Sequence, residues 1–304
     1  MSVVVIIPVY NRAGLIFDAI NSVVNQTKLP DEIILVDDGS TDGFSQEFSA
    51  WEEKNLSTGC PITFIQQPNQ GAAIARNTGI KTSPGADWYA FLDSDDLWPP
   101  DFLERCLALI SHSRHIKAAT VDREESSSRH KTTRLVDMSK LVRDPQAWMF
   151  QHGAALLSGT LLKGDAVREL NGFPEGEPFY TGQDLFFLLR VANSGEWVHV
   201  PGAPYNYRSD LGFPQLHEAF SDSRHRWANI FEQFYKEIGE TDSARESLFR
   251  KLLAKRWREA GDQHRLSGRK ALSLEAYKRS NKYHRNVRAV LGAIRLKFQR
   301  VDNA

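Results

Sequence analysis

Residues 3–9 read VVVIIPV, and this run constrains the fold more than any other stretch. A segment so apolar and so rich in β-branched side chains suits a strand buried on both faces, the kind found in parallel sheets with helices on each side. The next segments supply such a sheet. Ala13–Thr27 carries Leu15, Ile16, Ala19, Ile20, Val23 and Val24 at helical spacing. EIILV (32–36) predicts a second strand, Phe44–Asn55 a helix, and Ile62–Ile65 a short third strand. GAAIARNTGIK (71–81) predicts a helix that opens at a glycine, and Trp88–Leu92 a fourth strand. Strand and helix thus alternate over residues 1–110, which predicts an α/β fold with a mostly parallel sheet flanked by helices.

Beyond that point the pattern changes. DREESSSRHKTTR (122–134) has no apolar period and reads as an exposed loop. A strand is expected at Ala154–Leu162, a helix at Gln183–Ala192, and short strands near Trp197–Val200 and Tyr205–Arg208. From about Gln215 the chain reads as entirely helical, broken only by Gly239, Gly261 and Gly268. WREAGDQHRLSGRKALSLEAYKRS resembles one helix-turn-helix unit of the tetratricopeptide kind, a unit that needs neighbours to bury its core. The expected organisation is a domain over 1–214, with halves at about 1–110 and 111–214, and a helical region over 215–304.

Charge follows the same division. The formal net charge is zero, yet from Arg250 to the end there are 16 Lys/Arg and 4 Asp/Glu, leaving 22 against 34 in the rest. A basic helical tail has two readings: solvated helix faces, or peripheral docking on an anionic membrane surface. Trp257, Tyr277, Tyr283 and Phe298 suit either a lipid interface or a helical core. No module of a nucleic-acid-binding kind accompanies the charge, so no nucleic-acid partner is expected. The sequence holds no run of 18 apolar residues, so no transmembrane helix is expected, and MSVVVIIPVYN lacks a basic leader and is not expected to be a secretory signal. Cys60 and Cys106 show no metal or disulfide spacing, so the expected location is the cytoplasm, with the membrane's inner face as a peripheral option.

In open parallel sheets, ligands bind beyond the carboxyl ends of the strands. Three such ends carry notable residues: Pro8-Val9-Tyr10-Asn11, Asp37-Asp38-Gly39-Ser40 and Asp93-Ser94-Asp95-Asp96. Each alone has a plainer reading, a turn or a helix N-terminal charge cluster. If the strands are neighbours, their tips form one acidic crevice. Crowded carboxylates repel and raise one another's pKa. A divalent cation with oxygen ligands, Mn²⁺ or Mg²⁺, offsets that cost and admits a nucleotide diphosphate. Neither a G-x-x-x-x-G-K-[ST] loop nor a G-x-G-x-x-G after the first strand is present, so kinase, ATPase and dehydrogenase readings lack their motifs.

In order, VVIIPVYNR, EIILVDDGSTD, NQGAAIARNTGI, YAFLDSDDLWPP and TGQDLFFLLR resemble the inverting family-2 glycosyltransferases of the GT-A fold, over roughly residues 1–210. The resemblance implies transfer of a sugar from a nucleotide-sugar donor to an acceptor hydroxyl in glycan or polysaccharide biosynthesis. It implies that Pro8, Val9 and Tyr10 line base and ribose, that Asp38 accepts the base imino N–H, and that Arg76 and Asn77 lie near the diphosphate. Asp93 would face ribose and metal, and Asp95 would bind the metal. Whether Asp96 and His217 share the metal stays open, as does the plainer reading of His217 as structural. Asp184 matches the catalytic base; the Glu that usually precedes it is Gln183 here, which bears on acceptor contacts. Family frequency favours a UDP-sugar; the acceptor class (glycan, lipid-linked or protein) is open. The alternative is a catalytically silent nucleotide-binding scaffold with a partner-binding helical tail. A sugar nucleotidyltransferase would need a Gly-rich loop after the first strand, which is missing.

Overall fold

The computed structural model describes residues 1–55, 59–127, 131–153, 156–209, 222–239 and 242–298. The chain divides into two compact units: Met1–Gln146 with Ala154–Glu175 and Gln183–Phe213, and Ala147–Gly153 with Gly176–Gly182 and Pro214–Ala304.

The first unit begins as a strand–helix alternation: β1 (Val3–Val9), α1 (Ala13–Val24), β2 (Glu32–Asp37), α2 (Phe44–Lys54), β3 (Ile62–Gln66), α3 (Ala72–Thr82), β4 (Trp88–Phe91) and α4 (Phe102–Ile110). Every residue of β1 is buried, as a doubly covered strand requires. The order β3-β2-β1-β4 is parallel throughout, so the ends of β1, β2 and β4 are adjacent as the crevice argument needs. Val3, Val5 and Ile7 face the core formed with α1, α2 and α4. On the other face α3 lies so close that a Cβ on Gly79 would stand 2.6 Å from Ile6 Cγ2. Gln26 joins the end of α1 to the start of α4: its Nε2 donates to Pro99 O (2.7 Å) and its Oε1 accepts from Leu103 N (3.0 Å).

The later half is mixed. It contains β5 (Ile116–Ser127), β6 (Thr132–Val136), α5 (Pro145–His152), whose later residues belong to the second unit, then β7 (Thr160–Lys163), α6 (Gly164–Glu169), α7 (Gln183–Val191) and β8 (Glu196–Ser209). β7 pairs antiparallel with β4 and β5, while β8 runs parallel along the whole of β5. The stretch 122–134, expected as a loop, is instead largely a hairpin: β5 and β6 pair from Arg123↔Val136 to Ser127↔Thr132. Its composition is polar because this part of the sheet is not fully covered, and its charges pair along β5, Arg123 with Glu125 at 2.5 Å, and across to β6, Arg134 with Glu125 at 3.9 Å. The two short strands expected near 197 and 205 are one strand with an irregular register. The strand expected over 154–162 starts only at Thr160, after a 3₁₀ turn at Leu157–Gly159; residues 154–155 lie outside the described residues.

The second unit is helical: α8 (Ser223–Glu237), α9 (Ser243–Leu266), α10 (Lys270–Tyr283) and α11 (Val287–Phe298). Asp242 caps α9 by accepting from Ala244 N and Arg245 N. Phe150 packs on Phe231 and Phe249 at 4.5 and 4.9 Å. α9 and α10 form a tight hairpin in which Ser273 Oγ donates to Gly261 O (2.7 Å) and Ser280 Oγ to Ala254 O (2.7 Å). Trp257, Tyr277 and Tyr283 are buried, so these three aromatics serve the helical core and not an exposed lipid-facing surface; the side chain of Phe298 lies outside the described ones. Among the described residues, no helix is long and apolar enough to cross a membrane.

Candidate active site

At the end of β2 the chain satisfies its own carboxylates. Asp37 and Asp38 are both buried. Asp37 accepts from Ser40 N (2.9 Å) and Gln66 Nε2 (3.2 Å). Asp38 accepts from Gln67 Nε2 (2.7 Å), Gln70 N (2.9 Å) and Gly71 N (2.7 Å), which shapes the loop that leads into α3. A carboxylate has about four acceptor sites, so one remains for a further donor. Gly39 makes the turn possible: its φ is +79°, and a Cβ there would come within 2.8 Å of Asn69 N. Asp38 N donates to Val9 O (2.8 Å), Asn11 N to Ser40 Oγ (3.0 Å) and Thr41 N to Asn11 Oδ1 (2.8 Å), so the tips of β1 and β2 are laced together. Beside them Tyr10 is exposed, its ring free to receive a planar group. Pro8 lies within β1, opposite Val36.

The end of β4 is different. Asp93, Asp95 and Asp96 are drawn together, with Asp96 N donating to Asp93 O (3.0 Å) and Asp93 N to Ser158 Oγ (3.2 Å). Burial raises the Asp95 carboxyl above its ordinary value and Asp93 adds to this; Arg12, 3.9 Å away, and Arg208 pull it back. Asp96 is raised well above the ordinary range, first by burial and then by Asp93 and Asp95. Its Oδ1 finds no hydrogen-bond partner among the described residues. Tyr207 nearby is pushed up to about 12 by burial and by Asp96 and Asp95. Arg208 Nε donates to Asp95 O (2.5 Å), pinning the loop to β8.

Asp184 stands at the start of α7. Burial raises its pKa; Arg76 and the Leu185 N–H oppose this, and Asp93 adds to it. Arg76 binds Asp93 at 2.5 Å, and its buried Nε and Nη1 have no partner among the described residues. One guanidinium therefore acts electrostatically on both Asp93 and Asp184. Asn77, next along α3, is wholly engaged elsewhere: Nδ2 donates to Phe173 O (2.9 Å) and Glu175 Oε1 (2.7 Å), and Oδ1 accepts from Phe173 N (2.8 Å). Gln183 is buried with its Oε1 unpaired among the described residues.

Donor chemistry at the β4 tip fits a hard divalent cation. It offers only carboxylate oxygens, one of them buried and unpaired, and repulsion that a cation relieves. Asp93, Asp95 and Asp96 do not close a cage by themselves. Among the described residues, the one group of three such side chains whose ligand atoms lie within 4.8 Å of one another is Asp122, Asp137 and His199. Mg²⁺-like ions commonly take one or two carboxylates and complete their shell with substrate phosphates, which suits an open set. His217 lies outside the described residues.

The profile described as "Glycosyl transferase family 2" matches residues 4–163, more than half of the chain. The chain belongs to glycosyl transferase family 2. An uncharacterized glycosyltransferase of Rickettsia felis is 42% identical over 116 residues, 38% of this chain and 18% of that protein. The succinoglycan biosynthesis protein ExoW of Rhizobium meliloti is 39% identical over 101 residues, 33% of this chain and 31% of that protein. The matches thus span under a third of the length of either relative. Among solved structures, S. aureus TarS 1–349 in complex with UDP-GlcNAc aligns with a TM-score of 0.69 at 18% identity, covering 97% of this chain and 89% of that one. The mannosyltransferase PcManGT of Pyrobaculum calidifontis, in complex with GDP-Man and Mn²⁺, aligns at 0.57 and 17% identity, covering 98% and 87%. This family-2 chain has the GT-A architecture that its motifs imply.

The sequence alone does not announce several residues that hold the β4 tip. Ser158, Arg12 and Arg208 support the β4 tip from distant positions, and no spacing in the sequence announces them. The Asp122–Asp137–His199 group was also missed. His199 Nε2 lies 2.8 Å from Asp122 Oδ1, which also accepts from Met138 N. The three residues come from β5, β8 and the turn after β6, so only the sheet pairing brings them together.

Proposed function

We propose that this protein is a metal-dependent, inverting glycosyltransferase that moves a sugar from a nucleotide-sugar to an acceptor hydroxyl in glycan biosynthesis. The observation that carries this reading is the convergence of Arg76, Asp93 and Asp184: a buried guanidinium paired with the acidic tip and acting on an acid raised by burial. Tyr10 and the remaining acceptor site of Asp38 would receive the base, with Pro8 and Val9 as backbone lining. A uracil or guanine imino N–H suits that acceptor, and a UDP-sugar is the favoured donor. Asp93 and Asp95 would hold Mn²⁺ or Mg²⁺, with Asp96 beside them. Bound there, the ion would neutralise charge on the leaving diphosphate. Burial makes Asp184 a stronger base than an ordinary carboxylate, and Arg76 opposes that rise by favouring its charged form. Asp184 would take the acceptor's proton as the hydroxyl attacks the anomeric carbon, opposite the leaving group, which inverts that centre. Asn77 acts as a positioning residue, fixing the 173–175 segment against α3.

Residues 1–214 form the catalytic part of this proposal and 215–304 a separate helical region, which would meet an anionic membrane at the cytoplasmic face. A thermal-shift series with UDP-GlcNAc, GDP-mannose and dTDP-glucose, each with and without Mn²⁺, tests the donor reading. Stabilisation by one donor only when Mn²⁺ is present is expected; the same response with and without Mn²⁺ would overturn the metal-dependent site.

A further inference from the structure

We infer that the outer face of α11 is a docking surface for an anionic lipid bilayer. α11 has two apolar faces. One is occupied: Ala289 and Leu296 are buried against Tyr277, and a Cβ on Gly292 would stand 2.5 Å from the Tyr277 ring. That close packing fixes how the helix is turned. The opposite face carries Val287, Val290, Leu291 and Ile294, spaced i, i+3, i+4 and i+7, and exposed by 70, 37, 48 and 44%. Four aliphatic side chains on one line of a helix form a single strip, unlike scattered exposed apolar residues.

Charge identifies the occupant. From Ala276 to Val301 the sequence has eight Lys/Arg and no Asp/Glu. Arg285 just before α11, Arg288 in its first turn and Arg295 in its last are exposed, and none has an acidic partner among the described residues. An aliphatic strip edged by arginines is the pattern of a helix lying in a lipid interface, with acyl chains meeting the strip and headgroup phosphates the guanidinium groups. A second copy fits less well, because pairing strip to strip sets the flanking arginines of one copy near those of the other. A protein groove fits less well too, since the described side chains of the strip are all aliphatic and offer no hydrogen-bonding group to confer specificity. The inference rests on the membrane contact proposed above and is independent of the transfer reaction.

Full-length protein is pelleted with sucrose-loaded vesicles of phosphatidylcholine alone or of phosphatidylcholine and phosphatidylglycerol in equal parts. Leu291→Asp/Ile294→Asp and Arg288→Glu/Arg295→Glu are compared with the parent, with melting temperature as the folding control. The parent should pellet with the anionic vesicles, little with the neutral ones, and less at high salt. Each double variant should lose about tenfold in apparent affinity. No pelleting of the parent would overturn the membrane contact itself. Undiminished pelleting of a folded Leu291→Asp/Ile294→Asp variant would keep that contact and overturn its assignment to α11. A parent that is dimeric by light scattering, turned monomeric by that variant and indifferent to vesicles, would show that a second copy covers the strip.

Discussion

Two strand ends, set on either side of β1 in the same sheet, carry the same sequence signal and have opposite energetics. β2 ends in Asp37-Asp38 and β4 runs out into Asp93-Ser94-Asp95-Asp96. At β2 the chain supplies five donors to two carboxylates, three of them backbone N–H groups. At β4 the acids raise one another, and one buried oxygen lacks a partner among the described residues. An acid-rich strand end is therefore not one kind of feature. Satisfied by its own loop it is scaffold, and left short of donors it is under a repulsion that a ligand can relieve.

The largest test lies next to the β4 end. Asp184→Asn should lower single-turnover transfer by about 10³- to 10⁴-fold, the upper part of what a general base contributes, with donor affinity unchanged. If Asp184 serves only the start of α7, the variant should instead lose about 1 kcal/mol of stability and transfer at a normal rate per folded molecule. At the β4 tip itself, Asp95→Ala should weaken nucleotide-diphosphate binding in Mn²⁺ by roughly 100-fold, about 2.7 kcal/mol, by calorimetry. Unchanged affinity would remove the contrast with β2.

The next two predictions have opposite signs. Asp38→Ala removes a charged acceptor from three donors and should destabilise the metal-free protein by about 2 kcal/mol, lowering its melting temperature by about 4–8 °C. Asp96→Asn removes a buried charge that its neighbours oppose, so it should raise the melting temperature of the metal-free protein by about 2–4 °C while impairing activity. Two variants that both destabilise would erase the distinction. The pH profile sharpens it. Asp95 and Asp96 have folded pKa values above the ordinary 3.8. Between that value and the raised ones the folded chain holds more protons than the unfolded one, so their contribution to stability falls as pH rises through that window. The gain from Asp96→Asn should therefore shrink as pH is lowered into it, as denaturant titrations at several pH values would read out.

The two ends were not equally legible in the sequence. β1, β2 and β4 stand out because buried parallel strands leave continuous apolar runs, and both acid groups follow directly from where those runs stop. What the acids touch is not local. Gln67, Gln70 and Gly71 reach Asp38 across about 30 positions, and Arg208 reaches Asp95 O across 113. The polar hairpin of β5 and β6 was read as a loop because polar side chains on a half-covered sheet erase the alternation that betrays a strand. The aromatics of the helical region illustrate the same limit: Trp257 and Tyr277 look alike as interface or core residues until the helices are packed.

The same hairpin has a practical consequence for handling the protein. β6 pairs only with β5 among the described strands, so its other side presents backbone donors and acceptors to solvent. Its sequence is TTRLV, with Leu135 exposed by 60% and Arg134 standing 78% clear of its surroundings. Arg134 is the one charge within an otherwise β-prone run, and it makes the addition of a foreign strand costly. Replacing it with an apolar residue in pursuit of tighter packing would turn a soluble rim into a seed for fibrous assembly.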